Sequence, residues 1–281
     1  MDEESVEQAM RRVFIELQYN GQGFHGWQRQ PASRTVQEDL EKGLSLLLKV
    51  PIAVMGCGRT DAGVHASYFV AHADIPIVQL ELGKSEIERA DWGRLTWKLN
   101  GILGEDVSVL SIGEVPMNAH ARFDAHTRCY TYWMHNRKDP MLHGFSARVF
   151  GNLDLAAMQA ACAMLVFRGD FAAFCKAGGN QQTTICDVRE VSLVAVDVHR
   201  FRLDITADRY LRNMIRAIVG TLLEIGQGRK PVEWMQEVIE SGDRSSAGRS
   251  APAEGLYLSD VRYPDAIWKR GDAAVLGGVK P

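Results

Sequence analysis

The chain of 281 residues contains no C-x-x-C pair, no H-x-x-x-H pair, and no apolar run near the roughly 20 residues that cross a bilayer. Those absences argue against a zinc ribbon, a dithiol redox centre, a helical metal motif and a membrane span. Its five cysteines, Cys57, Cys129, Cys162, Cys175 and Cys186, are odd in number and scattered, as expected of reduced, buried thiols in a reducing compartment. The start, MDEESVEQAM, has neither the basic head nor the apolar centre of a secretory signal, so a cytoplasmic protein is expected. Net charge is only −3, which neither favours nor opposes an acidic partner. Locally the balance differs: from Pro116 to Phe150, the basic residues Arg122, Arg128, Arg137, Lys138 and Arg148 face only Asp124 and Asp139. A basic patch is therefore available.

Among the residues present, GCGRTDAGVH (Gly56–His65) is the most distinctive stretch. Gly58 and Gly63 match a G-x-x-x-x-G-K-[ST] phosphate loop, but Val64 and His65 stand where lysine and a hydroxyl belong. Gly56 and Gly58 start a G-x-G-x-x-G pattern, and Asp61 occupies its third glycine. Both phosphate templates fail. Two readings of Asp61 remain: a carboxylate projecting from a glycine-rich turn and held ionised by Arg59, or a residue capping the following turn beside a surface arginine. Asp61 and His65 are also four residues apart, the spacing of two metal ligands on one helical face, set against a simply packed His65.

Alternation in RRVFIELQY predicts a strand over Val13–Tyr19, and helical periodicity predicts a helix over Thr35–Lys49 with Thr35 and Glu38 as a capping box. Strands follow near Ile52–Cys57 and Tyr68–Ile75, a helix near Ser85–Asn100, and a strand near Val107–Val115. The second half repeats this βαββαβ order: strand Arg128–Asn136, helix Asp154–Phe167, strands Ile185–Val196 and Phe201–Thr206, helix Leu211–Ile225, a short helix Val232–Ser241, and strand Leu256–Tyr263. An α+β fold is expected, with two ferredoxin-like halves, antiparallel sheets, helices on one side, and an active-site cleft between the halves. The boundaries place a loose acidic leader at 1–12, the halves at 13–115 and 116–263 with a linker at 116–127, and a loose tail at 264–281. KAGGNQQTT (Lys176–Thr184) has loop chemistry.

Further candidates sit on these elements. Arg212 and Arg216, four apart, share a helix face that either binds a carboxylate or phosphate or is merely solvated. In RCYTYWMHN, Tyr130, Tyr132 and Met134 point to one side and Cys129, Thr131 and Trp133 to the other; a tyrosine there either packs in the core or stacks on a nucleic-acid base. YNGQGFHGWQRQ (Tyr19–Gln30) offers a second aromatic and basic loop of the same ambiguity.

Taken in order, YNGQGFHGWQRQ, TVQEDLE, GCGRTDAGVHA, HARFDAHTRCYTY, DFAAFCKAG, YLRNMIRAIVGTLLEIGQG and APAEGLYL resemble the bacterial tRNA pseudouridine synthase A family across nearly the whole chain. Cys57 and Tyr210 stand where alanine and phenylalanine are common. The resemblance implies isomerisation of uridine to pseudouridine at positions 38, 39 and 40 of the tRNA anticodon stem and loop, without cofactor or metal, by a homodimer. It implies that Asp61 is the catalytic aspartate, that Tyr130 binds the substrate, and that Arg59 both supports the site and touches RNA. Arg216 falls where the family has a basic residue facing the aspartate, and Leu256 where it has an apolar residue near the target base. Against this stand a non-catalytic RNA-binding module, with Asp61 a turn residue, and a metal-dependent phosphoesterase using Asp61 and His65.

Overall fold

The computed structural model describes residues 10–76, 91–178 and 182–269. Its architecture is mixed α/β, with five α-helices and ten strands among the described residues. The described residues divide into two units: unit 1 takes 10–62, 66–76, 91–125 and 263–269, while unit 2 takes 63–65, 126–178 and 182–262.

Unit 1 runs β1 (Met10–Tyr19), α1 (Val36–Leu48), β2 (Val54–Gly56), β3 (His65–Pro76), α2 (Trp92–Asn100) and β4 (Val107–Glu114), although the first residue of β3, His65, is counted with unit 2. Antiparallel pairing of β1 with β3 and β4, and of β2 with β3, gives the order β4-β1-β3-β2. The apolar alternation of β1 is buried on both faces: Val13, Ile15 and Leu17 lie on one, Phe14 and Glu16 on the other. Thr35 caps α1, its Oγ1 accepting from Glu38 N at 3.4 Å, but the other half of the expected box goes elsewhere, because Glu38 pairs with Lys42 at 2.9 Å. Asp91 caps α2 by accepting from Arg94 N at 2.8 Å; the part of the expected helix before it, from Ser85 to residue 90, lies outside the described residues.

At both ends of unit 1 the described residues are tied to the strands. β1 already begins at Met10, and the Arg12 guanidinium makes two hydrogen bonds to Asp74, at 2.7 and 2.8 Å. After Pro264 the chain turns, with Trp268 N donating to Pro264 O at 3.1 Å, and lays the Trp268 ring 5.7 Å from Phe14. Gly113 makes room for that ring, since a Cβ there would lie 2.6 Å from it. Trp268 Nε1 also donates to Glu16 Oε1 at 2.9 Å, joining donors from the Tyr68 and Ser111 hydroxyls. A buried carboxylate needs such donors, because burying it unbonded is strongly unfavourable. The leader's residues 1–9 and the tail beyond 269 lie outside the described residues.

Unit 2 runs β5 (Thr127–His135), β6 (Ala147–Arg148), α3 (Leu155–Ala163), β7 (Arg168–Asp170), β8 (Ile185–Ala195), β9 (Arg200–Ala207), α4 (Met214–Gly226), α5 (Trp234–Ser241) and β10 (Leu256–Arg262). Its sheet is ordered β10-β5-β9-β8-β7. Those pairs are antiparallel, but β6 runs parallel to β5 through Met134↔Ala147 and His135↔Arg148, so the expectation of purely antiparallel sheets is corrected. The cause is the excursion Asn136–Ser146: Asp139 caps a short turn at Pro140–Leu142, and Ser146 Oγ then bonds His135 Nδ1 at 2.9 Å, returning the chain beside β5 in the same direction. Tyr132 and Met134 of β5, Leu203, Ile205 and Ala207 of β9, Met158 and Cys162 of α3, and Ile215, Ile218 and Leu222 of α4 share one apolar cluster.

The apolar stripe expected from Leu211 enters a helix only at Met214, because Asn213 takes a left-handed backbone (φ 63°) and its amide donates to Ser250 Oγ at 2.6 Å. The loop expected at Lys176–Thr184 is described only in part, residues 179–181 lying outside the described set.

Trp268→Phe retains ring packing and removes one donor from Glu16. It is expected to lower unfolding stability by about 1–3 kcal/mol, read from urea midpoints; an unchanged midpoint would show that Glu16 finds a replacement donor.

Candidate active site

Asp61 lies half-buried in the irregular segment between β2 and β3. The preceding backbone is fixed from three directions. Cys57 N donates to Val70 O at 2.8 Å, the Tyr19 and Thr60 hydroxyls bond at 2.9 Å, and Trp27 N donates to Thr60 O at 3.2 Å. The last contact requires Gly26, whose φ is 92°, because a Cβ there would stand 2.4 Å from Thr60 O and 3.1 Å from the Asp61 carbonyl carbon. The same backbone caps α1: Gly26 O accepts from Val36 N at 3.3 Å and Trp27 O from Gln37 N at 3.0 Å. Gln37 closes the arrangement, its Nε2 donating to Val54 O at 3.0 Å and its Oε1 accepting from Arg29 N at 3.0 Å.

The glycines of GCGRTDAGVH therefore have different duties. Gly56 lets Trp27 approach, since a Cβ would lie 2.6 Å from the indole, and Trp27 stacks on Phe69 at 4.1 Å. Gly63 takes φ 76°, a left-handed turn after Asp61. Gly58 has neither constraint, with open space around its α-carbon. Arg59 is exposed and makes no ion pair among the described residues.

Tyr19, Phe24 and Trp27 are buried at 4%, 3% and 3% exposure, so of the two readings left open for Tyr19–Gln30 these rings take the core one. These rings are core, and the loop's contribution is backbone bracing. The helical spacing that suggested a metal corner at Asp61 and His65 also fails, because no helix connects them and His65 opens β3. In unit 2 the His65 ring stacks on Tyr257 at 4.5 Å and Phe145 at 5.7 Å. Burial lowers its pKa to about 4, so it is neutral at physiological pH. Among the described residues no group of three or more His, Cys, Asp or Glu side chains is placed to hold a metal, and no helix is long and apolar enough to cross a membrane.

In unit 2, Tyr130 is half-buried on the core-facing side of β5, edge-on to Tyr210 at 5.0 Å. Tyr210 is fixed by donating to Ile205 O at 2.8 Å, and desolvation raises its pKa, so it stays a neutral donor. On α4, Arg216 Nε donates to Ala251 O at 2.7 Å, and Ala251 N returns a bond to Arg216 O at 2.8 Å. Arg212 precedes the helix and points instead to Ala177 O and Gly178 O, at 3.4 and 3.3 Å, so it does not share an α4 face with Arg216. The Gly248–Ala251 segment lies directly on α4, because a Cβ on Gly220 would stand 1.6 Å from Arg249 O and one on Gly248 2.7 Å from Gly220 O. Tyr132 donates to Pro252 O at 2.8 Å, and Leu256, buried, pairs across β10 with Tyr132. Residue-type reasoning missed Gly26, Gln37 and Gly220, whose roles lie in backbone contact and hydrogen bonding, while of the two readings open for Tyr132 the structure takes the core one. The position of Gly26 within a loop otherwise rich in large rings is the one available signal.

A family model described as tRNA pseudouridine synthase matches residues 161–264. Three relatives named tRNA pseudouridine synthase A match over much more of the chain. That of Parabacteroides distasonis is 43% identical over 260 residues, covering 92% of this chain and 98% of its own. That of Porphyromonas gingivalis is 41% identical over 260 residues, covering 92% and 100%, and that of Bacteroides thetaiotaomicron 42% over 261 residues, covering 92% and 93%.

Gly26→Ala is expected to lower stability by about 1–3 kcal/mol in thermal or urea unfolding, because neither its φ nor the Thr60 contact tolerates a Cβ. His65 titrates near its ordinary value in the unfolded chain and at about 4 when folded, so between these values the unfolded state binds more protons. Stability should therefore fall as pH drops from about 6.5 towards 4, and His65→Phe should flatten that slope by up to roughly 1.4 kcal/mol per pH unit. An unchanged slope would show that other groups carry it.

Proposed function

Because the chain belongs to the tRNA pseudouridine synthase A family, we propose that it isomerises uridine to pseudouridine in tRNA, at the anticodon stem and loop. The observation that carries this reading is the match at 41–43% identity over 92% of the chain to relatives bearing that name. The chemistry is an isomerisation: the bond from C1′ of ribose to N1 of uracil breaks, the base turns, and C1′ joins C5, whose proton is lost while N1 gains one. Substrate and product stand at the same oxidation level, so the reaction consumes no redox cofactor.

Asp61 is the proposed catalytic carboxylate, acting either by attack on sugar or base or by removing a sugar proton. Its half-buried position on a turn held by Gly26 and Thr60 supports that role, since a reacting group gains from being held in one place. Tyr130 is the proposed stacking group for the target base, and Leu256 an apolar contact for it. Arg59, exposed two residues before Asp61, is assigned to RNA, and Arg216 to the developing or phosphate charge. Reaching a paired uridine requires extrusion from the stem, at a few kcal/mol, which favours such stacking groups.

We read residues 13–115 and 116–263 as two ferredoxin-like halves. The connectivity βαββαβ and the strand orders β4-β1-β3-β2 and β10-β5-β9-β8 support this, with β6, β7 and α5 as additions. The homodimer and the cytoplasmic location belong to the same proposal.

Asp61→Asn is expected to reduce pseudouridine formation on unmodified tRNA by roughly a thousandfold or more while tRNA affinity changes little, measured by mapping the product and by filter binding. Normal turnover in that variant would remove Asp61 from the chemistry. A wild-type protein that binds tRNA but forms no pseudouridine would leave a binding module in place of an enzyme.

A further inference from the structure

The turn His120–Asp124 in unit 1 is built more firmly than a solvent loop needs. The His120 ring accepts from two amides at once, Arg122 N at 3.1 Å and Phe123 N at 3.3 Å, both at Nδ1. Asp124 Oδ2 accepts from His120 N at 2.7 Å, and Asp124 N donates to His120 O at 3.1 Å. Ala121 is clamped on both sides: its N donates to His72 Nδ1 at 3.1 Å and its O accepts from the Tyr263 hydroxyl at 2.6 Å. All this order presents Phe123, which is 73% exposed.

An exposed phenyl ring gains little from folding, because most of its apolar surface stays in water. His120 packs against the ring, with centroids 4.2 Å apart, yet 73% of the residue stays exposed. The Arg122 guanidinium lies over the ring, 5.7 Å from its centroid. An exposed aromatic ring with a guanidinium close over it, a loose contact that an incoming base can displace towards its own phosphate, matches the two parts of a nucleotide. We propose that Phe123 is a base-stacking platform for an unpaired or extruded nucleotide of the tRNA substrate, with Arg122 on its phosphate. The platform rests on the functional reading above only for the identity of the RNA. A base face is accessible only where the nucleotide is unstacked, so the contact belongs to a loop, bulge or flipped position rather than to an intact stem.

The test compares Phe123→Ala, Phe123→Leu and Phe123→Trp for affinity towards unmodified tRNA and towards a blunt RNA duplex of similar length, with thermal unfolding as a control. Expected are a loss of tRNA affinity of about tenfold or more in the alanine and leucine variants, recovery in the tryptophan variant, and no change on the duplex. Leucine keeps apolar bulk without a π face, so wild-type affinity in Phe123→Leu would overturn stacking, as would wild-type affinity in Phe123→Ala. Equal losses on tRNA and duplex would overturn the unpaired nucleotide. A changed sedimentation coefficient with unchanged tRNA affinity would overturn it too, by assigning the ring to a contact between copies of the chain. Because the readout is binding, a wild-type protein that binds tRNA without forming pseudouridine would overturn the functional reading alone.

Discussion

Backbone packed on backbone at Gly26 is the constraint from which the geometry around Asp61 follows. One dipeptide, Gly26–Trp27, braces the Thr60 carbonyl region, accepts the first amides of α1 and, through the Trp27 ring, fills the space over Gly56. Strand, helix and turn are thereby tied to a single short segment. Side-chain contacts can relax around a substitution, whereas main chain at 2.4 Å from a new Cβ has nowhere to go without moving the elements attached to it. The position of the carboxylate is thus inherited from main-chain packing.

Unit 2 uses the same device at a different place. Gly220 and Gly248 allow the segment leading into β10 to lie against α4, and the reciprocal bonds between Arg216 and Ala251 form along that seam. The Tyr132 hydroxyl, held neutral by burial, closes on Pro252 O in the next residue. A guanidinium tied at Nε to a carbonyl has fewer rotamers to lose when it meets an anion, which lowers the entropic cost of binding.

Patterning made the strands and helices readable wherever a side chain's periodic burial decides the structure. The two-sided alternation of β5 and the apolar stripe of α4 are present as expected, as is the capping of α1 by Thr35. What periodicity missed was decided by single contacts. Asn213 stops the helix from starting early because Ser250, distant in sequence, holds its amide. The parallel β6 depends on a hydrogen bond between His135 and Ser146 across an excursion with no repeating pattern. Composition likewise treated the three glycines of GCGRTDAGVH as equivalent, although only a structure separates a ring contact, a left-handed turn and an unconstrained position. At Tyr19–Gln30 ring and charge content left core packing and ligand contact both open, and only the burial of the rings decides for core.

Glu16 gathers donors from β3, β4 and the segment after Pro264, so the first strand of unit 1 is completed by residues that leave the ribosome some 250 positions later. During synthesis the whole of unit 2 must emerge before Trp268 can reach Glu16 and cover Phe14. Until then the nascent unit 1 holds a carboxylate short of one donor and an uncovered aromatic face. Its final consolidation is therefore a late event in the birth of the chain, although its strands are made first.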